Sequence, residues 1–423
     1  MKHDPLGSRW SGAILLAALV FPLSSNAQPD LTLEKAEELA LASEPGREAM
    51  LAKAQVMAEK SVVAGQLPDP QVRLGMGNFP IESGGFSTEG MTQAQLGIRQ
   101  AFPGGKTRSL GTERFRELGL QLRRSASARE KEVRMQVRQA WLAVYYWQHA
   151  SAIVIDSRQH FEDLLTVTRS HYSVGHRDQQ DLLRAELELS RLDDRLLSIN
   201  QSLAQARAML FEWIGSAALQ PVGAALPLWH KTQPLETLVG NLSEHPQVLA
   251  AQSLVNAQST GVALAQQQYK PDWAIDLGYG YRDGLLPNGQ SRSDFVSVTV
   301  TVDMPLFRAN RQDRTVAAAR QQERAATLDL ALLRRQLEVQ LRSAYARWED
   351  LARQIELYER TVVPQSEDRA KAASLAYQSD SGNFEDVVRA RIDVLDIRLQ
   401  LERLSVERLQ SYAVLDNLGG MTP

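Results

Sequence analysis

Residues 273–307 read WAIDLGYGYRDGLLPNGQSRSDFVSVTVTVDMPLF, and the fold turns on this stretch. Trp273, Ile275, Leu277, Tyr279 and Tyr281 alternate with Ala274, Asp276, Gly278, Gly280 and Arg282. A turn-rich gap, 283–292, holds Pro287, Asn288 and Gly289. Alternation then resumes, with Val296, Val298, Val300 and Val302 set against Ser297, Thr299, Thr301 and Asp303. A period of two predicts extended strands with one apolar face. About ten residues is also the length a tilted strand needs to cross a bilayer. Almost everything else in the chain has helical periodicity, so this hairpin needs a separate explanation.

The N-terminus suggests where such strands would go. Lys2, His3 and Arg9 precede an apolar run, 10–23, and Ser25-Asn26-Ala27 places small residues ahead of Gln28. This is the pattern of a cleaved export signal, residues 1–27, and its apolar run is too short for a spanning helix. No later run of 18 apolar residues exists. Any membrane span must therefore be built from strands. The 423 residues carry a net charge of −3, which argues against a nucleic-acid footprint. The chain has no cysteine, which excludes disulfides, thiol catalysis and an N-terminal lipidated cysteine.

The chain repeats itself once. Leu67-Pro68-Asp69-Pro70 leads into a weaker hairpin over 71–101, as Lys270-Pro271-Asp272 leads into the hairpin over 273–303. After each hairpin comes a long helical tract. Val133, Val137, Ala140, Val144 and Trp147 are matched by Leu337, Leu341, Ala344, Trp348 and Leu351. Leu182, Ala185, Leu189, Leu192, Leu196 and Ile199 are matched by Val387, Ala390, Val394, Ile397, Leu401 and Leu404. Sustained 3/4 spacing between charged residues marks a coiled-coil seam. The first tract, 106–169, has no proline, whereas Pro364 is predicted to break the second. Shorter helices are expected at 45–65 and 246–268, each opened by a proline. The organisation is then a first repeat over 28–215, a linker or equatorial segment over 216–242, and a second repeat over 243–423. Four strands cannot close a membrane barrel, whose smallest closed form has eight, and an open sheet in lipid would leave unpaired edges. The barrel must be shared between chains.

These features resemble the TolC-type outer-membrane efflux proteins over essentially the whole exported length. The resemblance is carried by the duplication and by Gln100-Ala101-Phe102-Pro103-Gly104-Gly105-Lys106 after the first hairpin. Met304-Pro305-Leu306-Phe307 after the second, Tyr172-Ser173-Val174-Gly175 and Asp386-Val387-Val388-Arg389-Ala390 add to it. Leu-Pro-Asp-Pro, Met91-Thr92-Gln93 and Phe-Pro-Gly-Gly-Lys look most like the heavy-metal (CusC/CzcC-type) branch. The resemblance implies a mainly α protein with a membrane β-barrel: a homotrimer sharing 12 strands, continued by a long coiled-coil tunnel in the periplasm. It implies a passive exit duct of a tripartite efflux system, with an RND-type inner-membrane pump, a periplasmic adaptor and outer-membrane lipid as partners, and heavy-metal cations as cargo. A type I secretion or multidrug duct shares the fold. A periplasmic coiled-coil adaptor is the rival of another class, and the two halves with ten-residue amphipathic strands speak against it.

The resemblance also assigns sites. A periplasmic gate falls on Asp386, with Arg389 where a second acidic residue is expected, and Asp181 and Arg184 are the first-repeat equivalents. Asp386 and Arg389, at i and i+3, are placed to pair on one helix face or across protomers. Adaptor docking falls on the turns containing Tyr172, Val174, Gly175, Tyr377 and Gly382, with the glycines as helix stops. Trp273, Tyr279 and Tyr281 are read as a membrane aromatic belt. Gly105-Lys106-Thr107 opens a helix after a strand, but residue 100 is Gln where a phosphate loop requires Gly. The seven histidines have no ligand spacing. No catalytic arrangement, metal site, cofactor site or nucleic-acid partner is expected, and the chain is read as not an enzyme.

Overall fold

The computed structural model describes residues 30–42, 44–173, 179–229, 231–379 and 381–419. The expected export signal lies outside them. The first repeat runs α1 (Leu33–Ala42), α2 (Pro45–Gly65), β1 (Gln71–Gly77), β2 (Gln93–Phe102), α3 (Thr107–Ser173) and α4 (Gln179–Ile214). The second runs α5 (Leu235–Asn241), α6 (Pro246–Gln267), β3 (Asp272–Tyr281), β4 (Phe295–Asp303), α7 (Gln312–Leu357), α8 (Val363–Gln378) and α9 (Phe384–Gly419). The predicted prolines sit at the starts of α2 and α6.

The two hairpins merge into one antiparallel sheet of order β1-β2-β3-β4. Its register lines up the alternating residues of all four strands. Leu74, Leu96, Tyr279 and Val296 form one row, and Val72, Ile98, Leu277 and Val298 the next. This face is apolar yet open, with Leu74 77% and Val296 80% exposed in the single chain. The opposite face carries Gly, Gln, Ser, Thr and a few charges. The outer edges of β1 and β4 have no strand partner within the described chain. Such edges pair with something else in a stable structure.

The loops beyond the strands are tied together by arginines. Arg282 donates to the Gly90 carbonyl, and Arg292 to those of Ser87 and Glu89, so the two hairpin loops brace each other.

Away from the sheet, α3 runs unbroken for 67 residues, about 100 Å at 1.5 Å per residue. Its predicted seam is buried: Val133, Val137 and Val144 are each 0% exposed and pack with α1, α4 and the 216–226 segment. That segment is therefore an ordered part of the core. Leu31 pairs with Val222 in a short parallel bridge, and the Trp141 indole N–H donates to the Leu31 carbonyl at 2.9 Å. In the second repeat, Leu337, Leu341, Trp348 and Leu351 are buried as predicted.

The expected break at Pro364 does not occur. The helix passes through a π turn, Tyr358–Val362, and continues as α8 with Pro364 in its first turn. Proline lacks an N–H and its ring crowds the carbonyl four residues back. A wider π turn placed just before it absorbs that misfit without ending the helix. The 46, 5 and 16 residues of α7, the π turn and α8 together equal the 67 of α3. The duplication is thus kept in length although not in regularity.

Candidate functional site

Two places on the molecule gather the predicted residues: the sheet and the opposite tip of the helices. On the sheet, Trp273, Tyr279 and Tyr281 share the apolar face and are 42%, 45% and 50% exposed. Trp273 stacks on Phe102 with ring centroids 4.3 Å apart, and Tyr281 on Phe86 at 6.1 Å. The aromatics thus mark both ends of the strands. Trp273 and Tyr281 are eight residues apart, about 27 Å along a strand. A lipid-facing band of a barrel is about 25 Å tall with aromatic girdles at both borders.

The phosphate-loop lookalike has a structural explanation. A Cβ on Gly104 would meet the Pro271 carbonyl oxygen at 2.5 Å. Gly105 has φ +62°, which favours glycine. The Gly104 N–H donates to the Asp272 carboxylate at 2.5 Å and the Lys106 N–H to the Gln267 side chain at 3.0 Å. These glycines let the junction of β2 with α3 lie directly against the junction of α6 with β3.

At the tip, Ala185, Tyr377, Phe384 and Val387 form a small buried cluster. Tyr377 is 1% exposed, stacks on His171, meets Phe384 edge to face, and its hydroxyl lies 3.4 Å from Thr168 Oγ1. It is a core residue of the tip, which corrects its expected place on a docking surface. Tyr172 is 42% exposed, as docking requires. Val174 and Gly175 lie outside the described residues.

Gly382 is not the helix stop. Helix α8 ends at Gln378, and the Ser379 N–H closes the last turn on the Leu375 carbonyl at 3.0 Å. Gly382 is instead required by close packing, because a Cβ there would meet the Ala376 Cβ at 2.9 Å.

Within the chain, the expected pairing of Asp386 with Arg389 on one helix face is replaced by another. Arg389 bonds Glu385 at 2.8 Å, one helical turn back, and Arg184 reaches the same carboxylate from α4 at 3.2 Å. Glu385 therefore bridges the two inner helices. Asp386 is exposed beside it. The sequence signal for Glu385 was its place one residue before Asp386, but its first-repeat counterpart is Gln180, so the repeat comparison concealed it.

Among the described residues no group of three or more His, Asp or Glu is placed to hold a metal ion. No described helix is long and apolar enough to cross a membrane.

A sheet with one lipid-ready face, joined to helices about 100 Å long, defines a protomer of an outer-membrane channel. Residues 239–421 match the family model of outer membrane efflux proteins. The cobalt-zinc-cadmium resistance protein CzcC of Cupriavidus metallidurans is 23% identical over 95% of this chain and 92% of its own length. Crystal structures of CusC superpose with a TM-score of 0.77 at 15% identity, covering 93% of each chain. The outer membrane protein VceC of Vibrio cholerae gives 0.76 at 17% identity, covering 92% of this chain and 96% of VceC. The chain shares the fold of these channels, matches the outer membrane efflux model over its second half, and is similar to the heavy-metal relative CzcC. It resides in the outer membrane, with its helices extending into the periplasm.

Proposed function

We propose that three copies of this chain close a 12-stranded barrel and act as the passive exit duct of a tripartite efflux system for heavy-metal cations. The sheet carries this reading, with one apolar face open to lipid and two unpaired edge strands, β1 and β4, that a neighbouring copy would pair. Exposed apolar side chains on the helices support the same assembly. Leu183, Leu187 and Leu197 on α4, and Leu328, Leu332 and Val339 on α7, are each more than half exposed in the single chain. A second copy packed alongside would cover them.

An RND-type pump and a periplasmic adaptor would supply energy and cargo. The tips would be gated by Asp386, Arg389, Asp181 and Arg184, with Glu385 joining α9 to α4. The adaptor would dock at the turns containing Tyr172, Val174, Gly175 and Gly382. The cargo assignment draws on the likeness to CzcC. A deletion strain challenged with cobalt, zinc, cadmium, copper and silver, and separately with organic drugs, tests it. Sensitivity to the metals is expected, and sensitivity confined to the drugs would refute the cargo. A heat-sensitive trimer band from the membrane fraction tests the assembly.

A further inference from the structure

Charge is unevenly spread on the sheet face opposite the lipid-ready rows. Arg99 and Asp276 sit side by side in register on β2 and β3. Arg73 reaches the same carboxylate from β1: its Nη2 lies 3.3 Å from Asp276 Oδ1, and Arg99 Nε lies 3.9 Å from Oδ2. Two guanidiniums share one carboxylate, so the cluster carries a net positive charge. An arginine has five N–H donors, and the Arg73 side chain is 66% exposed, so most of its donors face water.

The neighbouring levels do not cancel this charge. Towards the loops the face continues through Gln95, Gly280 and Phe295, which are uncharged. Towards the helices come Ala101, Ala274 and Thr301. Beyond them Asp272 and Asp303 stand in register, and Lys270 and Arg311 line the same cavity. Gly97 and Gly278 occupy the row beside Arg73 and leave the guanidinium uncovered.

We infer that Arg73, Asp276 and Arg99 form an anion-attracting band on the barrel lumen, which shifts the channel's selectivity towards small inorganic anions relative to a barrel without the two arginines. The inference rests on the reading that copies of the sheet close a conducting barrel. Rings of arginine around a pore favour anions. Each copy adds the same surplus guanidinium, so closure multiplies the effect. The field of such charges reaches about 10 Å at 0.1 M salt, so the preference fades as salt rises.

The test is the reversal potential of the purified protein in a planar bilayer under a KCl gradient. The parent should pass chloride, relative to potassium, more readily than the arginine variants do. Arg73→Gln with Arg99→Gln should lower the chloride-to-potassium permeability ratio at least about two-fold, the scale of unit charges acting through about 10 Å of water. Asp276→Asn should raise it by a similar factor. Arg73→Gln alone removes one of the two guanidiniums, should give a smaller fall, and serves if the double variant does not assemble. An unchanged ratio in conducting Arg variants overturns the band. A parent that inserts and never conducts refutes the barrel reading instead.

Discussion

Tyr172 and Tyr377 are equivalent residues of the two repeats, each one residue before the end of its helix, and they have opposite fates. Tyr172 is 42% exposed, whereas Tyr377 is 1% exposed in a cluster with Phe384 and Val387. The N-caps of α2 and α6 are both buried but differ in chemistry. Glu44 caps α2 by accepting from the Arg47 N–H and also binds Arg129 at 3.2 Å, whereas His245 caps α6 through its Nδ1. Even the long helices diverge, α3 being continuous and its counterpart carrying a π turn. The two halves match in element order and in the lengths of their long helices, while each has its own chemistry. The second repeat holds the packed tip and the shared carboxylate, and the first presents the exposed one.

The contrast between the tyrosines is the easiest to break. Tyr377→Ala removes a fully buried aromatic and is expected to cost about 3–5 kcal/mol of local stability. Tyr172→Ala removes an exposed one and should stay within about 0.5 kcal/mol. Amide hydrogen exchange across 363–395 and 160–185 measures both. Equal protection loss in the two variants would erase the distinction.

The caps come next. Burial, and to a lesser degree the charge of Lys131, lowers His245 to about 4. The neutral ring donates from Nε2 to the Asn417 carbonyl at 3.1 Å and accepts the Gln247 N–H at Nδ1. Its folded value lies below the unfolded value of about 6.5, so the folded state resists protonation. The cap contribution is complete above about pH 6.5 and is lost as pH falls towards 4, by up to about 3 kcal/mol. Thermal unfolding between pH 7 and 4 should show this loss, and His245→Asn, which keeps a capping side chain, should flatten it.

The sequence was most legible where one physical rule acted alone. Strict alternation in 273–281 and 295–303 gave the strands, the lipid-ready face and the aromatic rows, because a half-exposed sheet leaves each side chain only two environments. The helical seams at Val133, Val137, Leu337 and Leu341 followed from their period for the same reason. Legibility failed where tertiary contact overrode a local signal. Pro364 reads as a break, yet a π turn five residues long absorbs it. Gly382 reads as a helix stop, yet it is demanded by the approach of Ala376. Tyr377 sits in a turn-like motif and is core, since its burial depends on Ala185 and Phe384, distant in sequence or beyond the turn. The partner of Arg389 was misread because an i,i+3 and an i,i+4 carboxylate compete for one guanidinium, and position 385 is one turn back at the favoured spacing.

The smallest expected change in stability concerns that carboxylate. Glu385 is 53% exposed, Arg184 43% and Arg389 60%. Ion pairs this open contribute roughly 0.2–1 kcal/mol each. Glu385→Gln should therefore leave assembly and melting almost unchanged. It removes the tie from α9 to α4 while leaving both arginines in place, which adds repulsion between like charges where there was a bridge. If the tips gate the channel, conductance and outer-membrane leakage of antibiotics should rise in Glu385→Gln more than in Asp386→Ala, because Asp386 is not the residue that joins the helices here. A larger rise in Asp386→Ala would return the gate to Asp386 and make the Glu385 bridge a surface pair. No change in either variant would move the constriction away from this end of α4 and α9.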